Sequence, residues 1–114
     1  MKKFLLVFLL IGLCAAVAFT DTFSLRNGTA YAFYFVFISS HDDEDPGDDW
    51  LAPTQVLRPG QTVEFTMPEP LRGRGLDIII LDEDGDLFII ADRIIGDGEI
   101  VTVTMDDFFG YFDY

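Results

Sequence analysis

Cysteine and histidine are almost absent from this sequence. The single cysteine, Cys14, lies in the apolar N-terminal stretch, so a chain that starts after this stretch has no disulfide and no thiolate nucleophile or metal ligand. The only histidine is His41, whereas a zinc site normally takes more than one nitrogen or sulfur ligand. The fold must therefore be held by its hydrophobic core alone, and thiol and zinc chemistry are not expected.

Basic residues are also scarce. Both lysines, Lys2 and Lys3, lie at the extreme N-terminus, and five arginines against twenty Asp and Glu leave residues 19–114 with a net charge of −15. Phosphate backbones and anionic lipid headgroups repel such a chain. We therefore expect no nucleic-acid partner, whereas solubility, cation binding or a basic protein partner all fit this charge.

A hydrophobic run long enough to span a bilayer is missing too. The apolar stretch from Phe4 to Phe19 is shorter than the roughly 18–20 residues that a span requires. It follows Lys2 and Lys3 and ends in the small residues Ala16-Val17-Ala18, the order of a secretory signal peptide. We expect residues 1–18 to be removed, with no stable membrane insertion afterwards, and the mature protein to be secreted or periplasmic.

Helical periodicity is lacking after residue 18. Short β-branched or aromatic segments alternate with period two, and turn residues separate them about every ten positions. This pattern predicts one immunoglobulin-like β-sandwich of six or seven antiparallel strands at 19–107, followed by an aromatic-rich tail at 108–114. A seventh strand could come from Trp50–Val56 or from the tail. The six clear segments are Phe23–Arg26, Ala30–Ser39, Gln61–Met67, Leu76–Leu81, Leu87–Ala91 and Val101–Met105.

Six short motifs follow one another along the chain. They are Leu25-x-Asn27-x-Thr29, Phe37-Ile38-Ser39-Ser40, Asp49-Trp50-Leu51, Leu57-x-Pro59-Gly60-Gln61, Leu76-Asp77-Ile78 and Asp82-Glu83-Asp84-Gly85. In this order they resemble a group of small exported bacterial β-sandwich proteins with the pattern N-x-T, Y-I-S-P, D-x-W, L-x-P-G, Y-D-I and D-x-D-G. The chain departs from that pattern at Ser40-His41, where the group has Ser-Pro. The resemblance implies a β-sandwich fold and export from the cytoplasm, and it does not imply an activity.

The segment His41–Asp49 is a strongly acidic loop, with six carboxylates within eight residues. Two unit charges about 4 Å apart repel by roughly 1 kcal/mol in water and by more near a protein surface. The loop therefore either extends into solvent or is gathered by a divalent cation. The candidate cofactor is Ca²⁺, with an expected dissociation constant of about 10⁻⁴ to 10⁻³ M. The predicted ligands are Asp42, Asp43, Asp45, Asp48 and Asp49.

A second acidic segment, Asp82–Asp86, lies between two apolar strands. An EF-hand is excluded because Ile80 occupies a ligand position and strands flank the segment. Because Gly85 can supply a positive φ, we interpret the segment as a plain hairpin. Asn27-Gly28-Thr29 is likewise interpreted as a turn.

Two aromatic features allow both a structural and a binding role. Trp50 is interpreted as a plug at the open end of the sandwich, with a ligand-stacking platform as the alternative. The tail either folds back over Leu76–Leu81 or docks on the sheet edge of an envelope protein. The predicted partner-binding residues are Phe108, Phe109, Tyr111, Phe112 and Tyr114.

Enzymatic activity is not expected. Ser39 and Ser40 are too close in sequence to His41 for an easy nucleophile–base geometry, and pairs among twenty carboxylates arise by chance. The sequence thus predicts an exported, non-enzymatic binding or structural module of the bacterial cell envelope. A Ca²⁺-binding β-sandwich using the loop 42–49 is the alternative, and a small hydrolase is the second alternative.

Overall fold

The computed structural model describes residues 21–111, which form strands and turns and contain no α-helix. Two short 3-10 turns, Glu69–Leu71 and Met105–Asp107, interrupt the connections. The strands are β1 (Thr22–Asn27), β2 (Phe33–Ser40), β3 (Thr62–Thr66), β4 (Leu76–Asp82), β5 (Asp86–Arg93), β6 (Ile100–Val103) and β7 (Phe108–Tyr111). The predicted signal peptide, residues 1–18, lies outside the described residues.

The strands form two sheets. One has the order β3-β1-β6 and the other the order β2-β4-β5-β7. All pairs are antiparallel except β1 and β6, which run parallel, so the prediction of antiparallel strands throughout is wrong for this pair. The reason is topological: a tight hairpin forces antiparallel pairing, whereas β1 and β6 are joined through most of the chain and are free of that constraint.

The core lies between the two sheets. Strand side chains alternate across each sheet, and the buried set comes from both. Val36, Ile38, Ile78, Ile80 and Phe88 come from the four-stranded sheet, and Phe23, Leu25, Val101 and Val103 come from the three-stranded sheet. This shared core confirms the predicted β-sandwich.

The seventh strand comes from the tail. β7 pairs with β5 at the edge of the four-stranded sheet, and the Phe108 ring meets that of Phe88 with centroids 5.9 Å apart. The segment Trp50–Val56 forms bends and turns instead. The structure thus extends the sandwich past the predicted boundary at residue 107, because Phe108 gains an aromatic contact at the core. Residues 108–111 lie beside β5 and not over β4, while Phe112 and Tyr114 lie outside the described residues.

Asn27 joins three segments of the chain at the end of β1. Its buried side-chain amide donates to the carbonyl oxygens of Tyr31 (2.7 Å) and Leu57 (2.9 Å) and accepts from the backbone N–H and hydroxyl of Thr29 (2.9 and 2.7 Å). A Cβ on the next residue, Gly28, would lie 2.8 Å from the Val103 carbonyl oxygen. The predicted turn is therefore a tight junction that leads into β2, which begins at Phe33 and not at residue 30.

Replacing Asn27 with alanine should lower the free energy of unfolding by about 2–4 kcal/mol, because it leaves several buried polar groups without partners. Urea unfolding measures the change. Thr29→Ser is the matched control: it keeps the hydroxyl and should lose only about 1 kcal/mol for the missing methyl group. Equal losses in the two variants would contradict this role for the amide.

Candidate functional site

The acidic loop is exposed, and its carboxylates hydrogen-bond within the loop. Asp42, Asp43, Asp45 and Asp48 are all exposed. Asp43 accepts from the N–H of Asp45 at 3.1 Å, and Asp45 accepts from the N–H of Gly47 at 2.9 Å. These successive turns use one oxygen of each carboxylate to order the loop backbone.

The end of the loop covers an edge of the four-stranded sheet. Asp49 accepts from the N–H of Val36 in β2 (2.9 Å) and from the N–H of Leu51 (3.0 Å). The N–H of Trp50 donates to the Val36 carbonyl oxygen at 2.7 Å. Both backbone groups of Val36 on the open side of β2 are therefore satisfied, which protects an edge strand from pairing with another chain. Asp49 thus has a structural role in addition to its negative charge.

Trp50 packs against the three-stranded sheet. Its ring lies 6.0 Å from that of Phe23 and 5.3 Å from that of Phe65, the latter edge-on. Trp50 also lines a cavity of about 400 Å³ between the loop and the end of β2. The polar part of the lining includes Asp43, Asp45, Asp48 and Asp49, and the apolar part includes Ile38 and Leu71. Trp50 therefore anchors the loop beside a pocket.

The loop carboxylates are not drawn together as a metal would require. Within residues 21–111 they form no group of three whose oxygens lie within 4.8 Å of one another. Calcium binding by Asp42, Asp43, Asp45, Asp48 and Asp49 stays a prediction.

The segment Asp82–Asp86 forms a hairpin between β4 and β5. Asp82 Oδ1 accepts from the N–H groups of Asp84 (2.9 Å) and Asp86 (2.8 Å), and Gly85 has a φ of +82°. The carboxylate of Asp82 therefore closes the turn from inside, and glycine supplies the left-handed conformation as predicted.

The same hairpin brings three carboxylates together. Oxygens of Asp82, Asp84 and Asp86 all lie within 4.8 Å of one another. Asp82 and Asp86 are 4% and 8% exposed, whereas Asp84 faces solvent. Interpretation of the sequence as a plain hairpin missed this cluster. The signal that could have found it is the placement of aspartates at every second position.

Two of these carboxylates have an unsatisfied oxygen. Asp82 Oδ2 and Asp86 Oδ1 are buried without a hydrogen-bond partner. Burial raises the pKa of Asp82 and the neighbouring Asp86 charge adds to this, while the N–H groups of Asp86 and Asp84 oppose it. The ion pairs among the described residues lie elsewhere: Arg72–Asp21, Arg93–Glu99 and His41–Asp77. The hairpin therefore concentrates negative charge that no described basic side chain neutralises.

His41 pairs with a carboxylate. Its Nδ1 lies 2.7 Å from Asp77 Oδ1, and this hydrogen bond, with the Asp77 charge, raises the pKa of His41. Burial acts to raise the pKa of Asp77, but the N–H of Asp92 and the His41 ring outweigh it and lower that pKa. Among the described residues no serine hydroxyl hydrogen-bonds to His41, so a base and an acid are paired without a positioned nucleophile.

The outer face of the four-stranded sheet is apolar. Here "outer face" denotes the side chains of Phe35, Phe37, Ile79, Leu81, Leu87 and Ile89, which alternate with the core positions of β2, β4 and β5. Strand register aligns Phe35 with Leu81 and Leu87, and aligns Phe37 with Ile79 and Ile89. The rings of Phe35 and Phe37 stack in parallel with centroids 6.3 Å apart, and Phe35 is 45% exposed. Two continuous apolar rows therefore cross three strands on the side away from the core.

β7 places part of the predicted partner-binding tail beside this face. Gly110 lies opposite Leu87, and Tyr111 lies opposite Asp86. Phe109 and Tyr111 are among the most exposed large side chains of the described residues, at 70% and 78%. Phe108 is also exposed, at 39%, and its ring contacts that of buried Phe88 and meets that of Tyr111 edge-on at 5.7 Å. Phe109 and Tyr111 are thus available on an edge strand of the sheet.

Comparison with known proteins finds no matching protein-family model, no matching curated protein and no matching solved structure. Between residues 21 and 111 no helix has the length and hydropathy to cross a membrane.

The pairing of His41 with Asp77 predicts the titration of the only histidine. In an NMR pH titration its midpoint should lie above the ordinary value of about 6.5. Because the pKa of His41 is raised in the folded state, protonation of His41 stabilises the fold. This stabilisation is fully present at pH values below the ordinary pKa. The contribution is lost as the pH rises through the raised pKa. Asp77→Asn keeps an acceptor for the Asp92 N–H and should lower the midpoint; an unchanged midpoint would contradict the pairing.

Proposed function

We propose that this protein is an exported, non-enzymatic binding module of the bacterial cell envelope, built on an immunoglobulin-like β-sandwich. Seven strands in sheets of three and four support this subclass of sandwich. The basic, apolar and small segments of residues 1–18 support export.

The observation that carries the proposal is the apolar outer face of the four-stranded sheet. Soluble domains rarely expose contiguous apolar patches larger than a few hundred Å², and such patches often mark sites of interaction. Here aromatic side chains border such a patch in a chain that is otherwise highly charged. Aromatic residues are enriched where proteins bind one another because they bury a large area with few rotatable bonds.

The edge strand β7 supports a particular mode of binding. It lies last in the strand order of its sheet, so one side of its backbone faces no other described strand. An extended segment of a partner can add to such an edge through backbone hydrogen bonds and place side chains beside Phe109. The strongly negative chain favours a partner segment with basic residues.

Export predicts a defined mature N-terminus. Mass spectrometry of the protein recovered from the envelope or medium should give a chain that begins at Phe19, because cleavage follows the small residues Ala16 and Ala18. Ala18→Arg removes the small residue at the cleavage point and should leave the precursor uncleaved. Recovery of the full-length chain in the cytoplasm for both forms would contradict export.

Partner binding predicts site-selective cross-linking in living cells. A photoreactive phenylalanine analogue placed at Phe109 or Phe35 should yield one discrete cross-linked species, because Phe35 belongs to the outer face and Phe109 is exposed on the edge strand of the same sheet. Ile100 is the matched control: it is 59% exposed but lies on the three-stranded sheet. The proposal fails if the Ile100 position gives the same species, or if no position gives any.

Calcium binding by the acidic loop is the second candidate function. The cavity of about 400 Å³ favours it because Asp43, Asp45, Asp48 and Asp49 all border this space. Ca²⁺ takes six to eight oxygen ligands in flexible geometry, which a loop of this kind can supply with the help of water.

A further inference from the structure

We infer that Asp82, Asp84 and Asp86 bind a Ca²⁺ ion at the hairpin between β4 and β5. This site is distinct from the acidic loop and does not depend on the proposed partner binding. It rests on two separate observations, which are the convergence of three carboxylates and the two buried oxygens without partners.

The unpartnered oxygens are the more informative observation. Asp82 uses Oδ1 to hold the N–H groups of Asp84 and Asp86, which leaves Oδ2 buried with nothing to accept from. Asp86 Oδ1 is buried and unpartnered as well. Buried polar atoms in proteins nearly always have a partner, and a buried charge without one is strongly unfavourable. A cation held by the three converging carboxylates gives these buried side chains the partner that they lack.

The negative charge of the hairpin also favours a bound cation. Three carboxylates within 4.8 Å repel one another, and none of the ion pairs formed by described basic side chains involves them. Repulsion between charges grows as water is excluded around them. A bound divalent cation offsets this repulsion and is coordinated by all three residues.

The geometry favours Ca²⁺ over Mg²⁺. Both buried oxygens can reach an ion only after it has shed part of its water, and Mg²⁺ dehydrates reluctantly whereas Ca²⁺ does so readily. Asp84 is exposed, so the ion can enter from solvent and water can complete the six to eight ligands that Ca²⁺ takes. Three protein ligands from one short turn place the affinity in the weak extracellular class, about 10⁻⁴ to 10⁻³ M.

The position of the hairpin links the ion to both edge strands of its sheet. Asp82 lies opposite Phe33 at the start of β2, and Asp86 lies opposite Tyr111 of β7. Glu83 adds a further connection, since its N–H donates to the Ala32 carbonyl oxygen and its carboxylate accepts from the Ala32 N–H. An ion at this point therefore stabilises the ends of all four strands.

The test is thermal unfolding and calorimetric titration of the purified protein with CaCl₂ or MgCl₂ at constant ionic strength and neutral pH. Calorimetry should detect one Ca²⁺ ion per chain. Ca²⁺ at about a hundredfold excess over its dissociation constant should raise the unfolding temperature by several degrees. MgCl₂ should have much less effect. Asp84→Asn should fold normally because the residue is exposed, and should lose the Ca²⁺ response.

Two further variants complete the test. Asp82→Asn keeps the acceptor that closes the turn and removes one negative charge, so it should be more stable than the parent without metal and should not respond to Ca²⁺. The double variant Asp45→Asn, Asp48→Asn alters the acidic loop and should respond like the parent. The inference is overturned if Ca²⁺ and Mg²⁺ give equal shifts, if neither binds, or if only the loop variant loses the response.

Discussion

The side-chain amide of Asn27 joins the end of β1 to two other segments, residues 29–31 and the segment around Leu57. In a chain without disulfides, such a junction fixes how β1 leads into β2 and how the segment around Leu57 returns to both. The four hydrogen bonds of this amide are all made within the protein, and those to Leu57 and Thr29 are buried, so loss of the amide leaves buried polar groups without a partner. The junction thus connects β1 of one sheet to the segment that leads into β2 of the other.

The carboxylates of the acidic loop differ physically from those of the hairpin between β4 and β5. Asp43, Asp45 and Asp49 accept hydrogen bonds from nearby backbone N–H groups and so order the acidic loop and cover an edge of the sheet. Asp82 and Asp86 also lie in a turn, but each retains a buried oxygen with no partner. The difference is one of burial: Asp43 and Asp45 are exposed to solvent, whereas the unpartnered oxygens of Asp82 and Asp86 are buried, which is unfavourable for a charged group.

Apolar residues on both sides of β4 have two separate consequences. One side forms the core with Ile78 and Ile80, and the other side contributes Ile79 and Leu81 to the outer face. A sheet in a sandwich needs only one apolar side, because the second normally meets water. The second apolar side of this sheet lies next to an exposed aromatic edge strand. The core does not need this second side, and the binding of a partner would explain it.

Local patterns in the sequence by themselves determined the class of fold and the position of the strands. Period two, the turn residues near Gly28 and Gly85 and the apolar content are local properties, and they predicted the β-sandwich and most strand positions. They could not predict that β1 and β6 run parallel, and they left open whether the seventh strand comes from Trp50–Val56 or from the tail, because those pairings join distant parts of the chain. The alternating aspartates Asp82, Asp84 and Asp86 are a local pattern, but the burial of Asp82 and Asp86 is not. Burial decides which carboxylate oxygens lack partners, and burial exists only once the two sheets have packed together.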